Sequence, residues 1–418
     1  MASDNSLRLL LLYCTMTSLV IFSCIYMQSK GNNISEFLFP SPKVVRCHIF
    51  SDEMCLALME GQTFTDDLRA HCQEIQRPIM AIEENVNCSA FIEKQSYITE
   101  ALSKEEQDFP LAYIITVHKE FETFAVLFRN IYMPQNIYCI HVDVKSSESF
   151  KESMQRLAGC FDNVFLASRS ETVVYAGFSR LKADINCMQD LATRPTRWKY
   201  VLNLCGQDFP LRTNQEIVRI LKNKWRGKNI TPGIFQPPHM KWRTQYVYKE
   251  VVDNDKKQMI RTNVAKGPPP HGINLCFGTA YYAVTREFVQ YVLDDKKAQD
   301  LLEWSQETFS PDEHYFVTLN SLPDAPGANT VPSWRGNTRA VKWRDGEKTH
   351  KGCKGHYVRD ICVYGEGDLE WLTKRSDLFA NKFEMQRYPL VLECLEHWLR
   401  QRTLNESEVR IQPSWRIP

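Results

Sequence analysis

From residue 111 to residue 204, short uninterrupted apolar runs alternate with longer amphipathic segments, and few architectures accommodate that order. Leu111-Ala-Tyr-Ile-Ile-Thr-Val117, Ile137-Tyr-Cys-Ile-His-Val142, Val164-Phe-Leu166 and Tyr200-Val-Leu-Asn-Leu204 read as strands. A pattern through Phe124, Leu127, Phe128 and Ile131, a polar stretch from Ser147 to Leu157, and a stretch from Phe178 to Leu191 read as the helices between them. Strands without polar alternation are apolar on both faces, so they belong in a parallel sheet covered by helices on both sides. Ligands of such sheets sit beyond the C-terminal strand ends. The residues there are His118, Asp143-Val144-Lys145 and Gly206-Gln207-Asp208.

The remaining chain is less regular. Residues 223–272 are polar and carry Pro237-Pro238 and Pro268-Pro269-Pro270, which suits substrate-binding loops. Residues 275–284 read as one further strand and 286–304 as one helix. At the other end, residues 9–27 contain no charge. As a helix they would span about 28 Å, close to the hydrocarbon thickness of a bilayer. A cleaved signal peptide is the competing reading, but the run is long for one and has no clear small-x-small cleavage site. A short tail of residues 1–8, an anchor at 9–27, a stem and helical preamble at 28–107 and a catalytic domain at 108–418 therefore describe a single-pass type II protein.

Composition bears on compartment and partners. Fourteen cysteines among 418 residues are many for a reducing cytosol, and 12 lie outside the anchor. Four sequons, at Asn33, Asn87, Asn229 and Asn405, agree with a luminal body. Lys plus Arg number 51 against 50 for Asp plus Glu, a formal net charge of +1 that argues against a nucleic-acid binder.

Three motifs carry chemistry, each with a structural alternative. Ser310-Pro311-Asp312-Glu313-His314 has the form of a capping box, with Ser at N-cap, Pro at N1 and Glu at N3. It also suits a helix start that presents Glu313 to a cleft as a general base. Asp253-Asn254-Asp255 has the D-x-D form that can hold a divalent metal, yet its charged surroundings mark a solvated turn. Cys353 and Cys362 bracket eight residues that include Arg359, so a disulfide there would fix a guanidinium in place, either as a phosphate ligand or as a bystander. No C-x-x-C, H-E-x-x-H or Walker loop is present.

Taken together, Leu111-Ala-Tyr113, Tyr132-Met-Pro-Gln-Asn136, Tyr138-Cys-Ile-His-Val-Asp143, Ser170-Glu-Thr-Val-Val-Tyr175, Cys205-Gly-Gln-Asp-Phe-Pro210, Ser310-Pro-Asp-Glu-His314 and Leu378-Phe-Ala-Asn-Lys-Phe383 resemble the core 2 and I-branching β-1,6-N-acetylglucosaminyltransferases. The resemblance runs from about Cys55 to the C-terminus. Gly227-Lys-Asn-Ile-Thr-Pro-Gly233 and Ile411-Gln-Pro-Ser-Trp415 are more similar to the I-branching member.

The resemblance implies an α/β, GT-A-like, Rossmann-type nucleotide-sugar transferase domain behind an N-terminal transmembrane helix and stem. It implies an inverting transfer of N-acetylglucosamine from UDP-N-acetylglucosamine to a 6-hydroxyl of galactose or N-acetylgalactosamine, on O-glycans or poly-N-acetyllactosamine. The base would be Glu313. Donor contacts would be Asp143, Arg359 and Lys382, the two cations standing where other transferases use a divalent metal, so that no cofactor is expected. Acceptor contacts would be Trp343 and Arg243. Arg344-Asp345-Gly346 departs from the core 2 pattern and puts that acceptor specificity in question. The disulfides would be Cys55–Cys394, Cys88–Cys160, Cys139–Cys187 and Cys353–Cys362, with Cys205 free. Cys276 has no implied partner, and Cys47 with Cys72 is a guess. The partners would be a glycan or glycoprotein acceptor and the Golgi membrane, with no nucleic acid, and a homodimer is left open. An inactive glycan- or UDP-binding relative and a xylosyltransferase-like donor preference are the competing readings.

Overall fold

The computed structural model describes residues 52–62, 82, 86–253, 257–336 and 338–417, all of which belong to one compact unit. The tail, the anchor-like stretch 9–27, Asn33, Cys47 and Cys72 lie outside the described residues. Among those described, no helix is long and apolar enough to cross a membrane.

Four parallel strands build the central sheet: β1 (Leu111–Val117), β2 (Ile137–Val142), β3 (Val164–Leu166) and β4 (Tyr200–Cys205). Their order is β4-β1-β2-β3, and β5 (Ala283–Thr285) adds antiparallel to β4. Successive side chains of a strand point to opposite faces, and β1 uses both. Leu111, Tyr113, Ile115 and Val117 enter one core with Phe124, Leu127 and Phe128 of helix Phe121–Ile131 and Met154 and Leu157 of helix Glu148–Gly159. Ala112 and Ile114 enter the other with Leu181, Ile185 and Met188 of helix Phe178–Thr193. Two-sided burial is why these strands are continuous apolar runs, and each buried Leu or Phe contributes about 1.5–3 kcal/mol.

Among the described residues, four disulfides join Cys55 to Cys394, Cys88 to Cys160, Cys139 to Cys187 and Cys353 to Cys362, while Cys205 and Cys276 are free thiols. The first ties helix Asp52–Met59 to the last long helix, Pro389–Asn405. That last helix docks on Phe121–Ile131 through a buried ion pair, in which Arg129 Nε and Nη2 donate to the Glu396 carboxylate at 2.7 and 2.6 Å. Arg400 on the same helix donates to the carbonyls of Ser96, Trp415 and Arg129. Tyr97 and Ile82 sit in the sheet's core. Part of the 28–107 segment thus shares that core, while Ile98 and Leu102 pack in a separate cluster with Leu404 and Trp415.

The structure corrects three expectations. Residues 275–284 are two short strands in different sheets: Cys276–Gly278 pairs with Gly233–Phe235, and β5 pairs with β4. The bend between them is held by Asn203, whose side chain accepts from Tyr282 N and donates to Ala280 O. The helix expected over 286–304 is two helices, Arg286–Asp294 and Lys296–Ser305. Asp295 leaves the helical conformation, and its carboxylate caps the second helix by accepting from Lys297 N and Ala298 N. The third concerns glycosylation. Asn87 and Asn405 are exposed, but Asn229 is buried. Its Nδ2 donates to Asn320 Oδ1 and Pro326 O, and its Oδ1 accepts from Thr285 N. A glycan on that nitrogen would displace these buried hydrogen bonds, so the folded chain uses this asparagine structurally.

Candidate active site

The C-terminal ends of β1, β2 and β4 lie side by side, and the residues just beyond each strand build the site. After β2, Asp143 N donates to Val117 O at 3.0 Å, which keeps the residue at the sheet edge. Its Oδ1 accepts from Lys145 N at 2.9 Å, and Lys145 Nζ lies 3.2 Å from Oδ2.

A strap of residues 171–177 then crosses this edge. Val144 N donates to Glu171 O, and the Lys145 ammonium donates to Val173 O. Tyr175, 66% exposed, lies under the Arg359 guanidinium at 4.4 Å from the ring centroid. One residue on, Ala176 O accepts from Ser310 N at 2.8 Å. A single continuous segment therefore meets Val144 and Lys145 beside Asp143, the Arg359 guanidinium and the turn bearing Glu313. Cation–π contact of this kind contributes about 0.5–2 kcal/mol and orients the guanidinium.

Arg359 owes its place to a hairpin. Strands His356–Val358 and Ile361–Val363 pair antiparallel, and the two residues between them, Arg359 and Asp360, both have positive φ, 51° and 62°. Two-residue hairpin turns of this hand match the strand twist. The Cys353–Cys362 disulfide closes the same hairpin. Tyr364 N donates to Lys382 O and Lys382 N to Cys362 O, which brings Lys382 alongside. Burial holds the Lys382 ammonium below the usual lysine range, and the charges of Arg359 and Lys119 push the same way. Neither Arg359 nor Lys382 has a carboxylate partner within ion-pair distance among the described residues. Adjacent unpaired cations suit an anionic ligand such as a diphosphate.

Asp208 braces the site rather than facing a ligand. The sequence puts it among the ligand-facing residues after β4, but it is wholly buried. Its carboxylate accepts from Cys205 N and Asn381 Nδ2 and pairs with Arg339 at 3.1 Å. Through Asn381 it supports the segment that carries Lys382. The free Cys205 thiol is pushed up to about 12, by burial first and Asp208 second.

The capping-box reading of Ser310 is not realised. Ser310 sits at φ 49° with no side-chain cap, and Pro311–Glu313 forms one 3₁₀ turn. Glu313 turns instead to Arg243, whose Nη1 donates to its carboxylate across 70 residues of sequence. Arg243 is held among the rings of Phe277, Trp242 and Phe309 at 5.0, 5.4 and 5.7 Å. Glu313 retains 30% side-chain exposure, enough to meet a ligand. Trp343, 48% exposed, lies against the Arg359 hairpin through a backbone bridge to Ile361. Asp253 follows strand Tyr246–Val252, which pairs antiparallel with Lys257–Ala265, and Asn254 and Asp255 lie outside the described residues.

Asp312 was not singled out from the sequence. Burial and then the neighbouring Glu313 charge push its carboxyl up to about 7, with Arg180 opposing. A carboxyl with a raised folded-state value stabilises the fold fully below the unfolded value of about 4, and that contribution is lost as pH rises to about 7. Asp312→Asn is therefore expected to raise the melting temperature relative to wild type progressively between pH 4 and pH 8. Parallel melting curves across that range would contradict the assignment.

Sequence comparison places the chain among known proteins. A family profile described as "Core-2/I-Branching enzyme" matches residues 111–373, more than half of the chain. The mouse N-acetyllactosaminide beta-1,6-N-acetylglucosaminyl-transferase is 49% identical over 403 residues, covering 96% of this chain and 97% of that one. Its human namesake is 51% identical over 363 residues, 87% and 88% of the two chains. The human "probable beta-1,3-galactosyl-O-glycosyl-glycoprotein beta-1,6-N-acetylglucosaminyltransferase 7" is 47% identical over 398 residues, 94% and 93%.

Proposed function

The chain belongs to the Core-2/I-branching enzyme family, and on that premise we propose that it moves N-acetylglucosamine from UDP-N-acetylglucosamine to a 6-hydroxyl of galactose or N-acetylgalactosamine, forming a β-1,6 branch. The observation that carries the site assignment is the 171–177 strap. It links Asp143, Arg359 and the Glu313 turn at one edge of a parallel sheet. We read that arrangement as a GT-A-like donor and acceptor cleft.

Glu313 accepts the proton of the acceptor 6-hydroxyl as its oxygen attacks the donor C1. The C1–O bond to UDP breaks on the opposite face, so one displacement inverts the anomeric centre and no covalent sugar intermediate forms. Negative charge builds on the departing diphosphate, where Arg359 and Lys382 offer preorganised positive charge. Asp143 contributes a donor contact at the end of β2. Arg243 fixes the Glu313 carboxylate, and Trp343 offers an exposed ring beside the donor hairpin. The high identity to two N-acetyllactosaminide transferases supports galactose-bearing chains as the acceptor class. Residues 9–27 support anchorage of a luminal catalytic body in the Golgi membrane.

Incubation with UDP-N-acetylglucosamine and a galactose-terminated oligosaccharide is expected to yield a product whose new linkage is β-1,6 by NMR. Because protein cations stabilise the leaving group, most of the rate is expected to persist in EDTA. An α-linked product, or no transfer to any galactose- or N-acetylgalactosamine-bearing glycan, would overturn the reading.

A further inference from the structure

An aromatic pair near the base has no part in the proton transfer or in leaving-group stabilisation. The Phe277 ring lies 5.0 Å from the Arg243 guanidinium that pairs with Glu313. It also meets the indole of Trp334, with centroids 6.2 Å apart and planes at 78°. Trp334 is nonetheless 50% exposed.

The backbone that carries this indole is pinned. Ser333 O accepts from Gly233 N at 3.0 Å, which joins the loop to strand Gly233–Phe235. Two residues on from Trp334, Gly336 has φ +105°, and a Cβ there would stand 2.3 Å from Ile230 Cγ2. Only glycine takes that path, so the loop is held close to the body on both sides of Trp334. A large flat apolar side chain is thus fixed facing solvent, one ring away from the arginine that orients the base. The surface is mixed in character: Arg335, the next residue, is exposed, and Phe277 also touches the Arg243 that pairs with Glu313.

We propose that Trp334 is a stacking platform for a second sugar of the acceptor, the residue adjoining the one whose 6-hydroxyl Glu313 deprotonates. The proposal rests on the reaction assigned to Glu313 and extends it to acceptor length. A pyranose ring has one face of C–H groups and a rim of hydroxyls. The C–H face packs on the electron-rich face of an indole, as the positive edges of aromatic rings do, while the hydroxyls find the charged groups around it. A purely apolar partner would strip water from the exposed Arg335 guanidinium without replacing its hydrogen bonds, so an amphipathic carbohydrate suits the patch better than a lipid or a protein core. Trp334 selects longer acceptors by binding them and takes no part in proton transfer.

The test compares a tetrasaccharide of alternating galactose and N-acetylglucosamine with methyl β-galactoside on the full-length protein. In wild type the tetrasaccharide is the better acceptor by kcat/KM. Trp334→Ala is expected to lower the tetrasaccharide-to-monosaccharide ratio about tenfold, through KM, and Trp334→Phe to retain most of it. A purely structural role would lower both acceptors together and leave the ratio unchanged, which would overturn the proposal. Calorimetry with UDP present reads tetrasaccharide binding without turnover. Wild-type-like affinity in Trp334→Ala would remove the platform and leave the reaction standing. Binding in wild type that is lost in Trp334→Ala, without any transfer, would keep the platform and remove the assigned reaction. Absence of glycan binding in wild type would remove both.

Discussion

Glu313→Gln is expected to lower kcat about 10³-fold while leaving UDP binding intact. The substitution keeps the side chain's length and an oxygen that can accept from Arg243 Nη1, as the carboxylate does now. It removes only the capacity to take a proton. Without a base, the 6-hydroxyl attacks as a neutral nucleophile, and the residual rate comes from positioning and from charge stabilisation of the leaving group. The measurement is kcat at saturating donor and acceptor, with calorimetric UDP affinity and melting temperature as controls for folding. A rate within about tenfold of wild type would assign the base elsewhere. Loss of UDP binding alongside the rate would instead make Glu313 a structural residue of the cleft.

The second large effect concerns the leaving group. Arg359→Ala and Lys382→Ala are each expected to reduce kcat about 10²–10³-fold, the scale seen when one preorganised charge-stabilising donor is removed. Both act on one diphosphate, so the double variant should lose less than the product of the two single losses. Arg359→Ala also removes the guanidinium from above Tyr175, so Tyr175→Leu provides a check. It should reproduce part of the Arg359 defect by releasing the guanidinium's orientation while the charge remains. Lys382→Ala leaves Asn381 and its bond to Asp208 in place, so its effect reads the ammonium alone. Unchanged UDP affinity and kcat in both single variants would separate the phosphate site from this pair.

These two experiments probe residues whose chemistry could be named from the sequence but whose arrangement could not. The three central parallel strands were legible because burial on both faces imposes an unbroken apolar run, a local property of six or seven residues. Helices packed on one face were legible by their period. Residues 275–304 were not, because the breaks there depend on partners far along the chain. Asn203 holds the bend before β5, and Asp295 caps a helix within a segment that has continuous helical composition. The sequon at Asn229 matches its tripeptide rule perfectly, yet its amide belongs to a buried network with Asn320 and Thr285.

The site divides in the same way. Resemblance supplied Asp143, Glu313, Arg359 and Lys382 as separate positions, and Ser170-Glu-Thr-Val-Val-Tyr175 as a matching segment with no role. Its role as the strap under Arg359 and beside Ser310 exists only in the folded chain. Asp312 carried no signal of its own, because a raised carboxyl depends on what surrounds it. Ser310-Pro311-Asp312-Glu313 equally fitted a helix cap, and only the position of Arg243 decides where the Glu313 carboxylate points.

By itself, the order of residues determined the parallel sheet, the covering helices, the family and the inventory of charged groups that could do the chemistry. Periodicity and side-chain identity are properties of neighbours in the chain. Folding alone decided which aspartate braces the Lys382 segment, which sequon asparagine is buried, and which arginine meets the base. Those outcomes depend on burial and on electrostatic contacts between segments 70 or more residues apart, such as Arg243 with Glu313 and Asp208 with Asn381, and such contacts exist only once the chain has closed on itself.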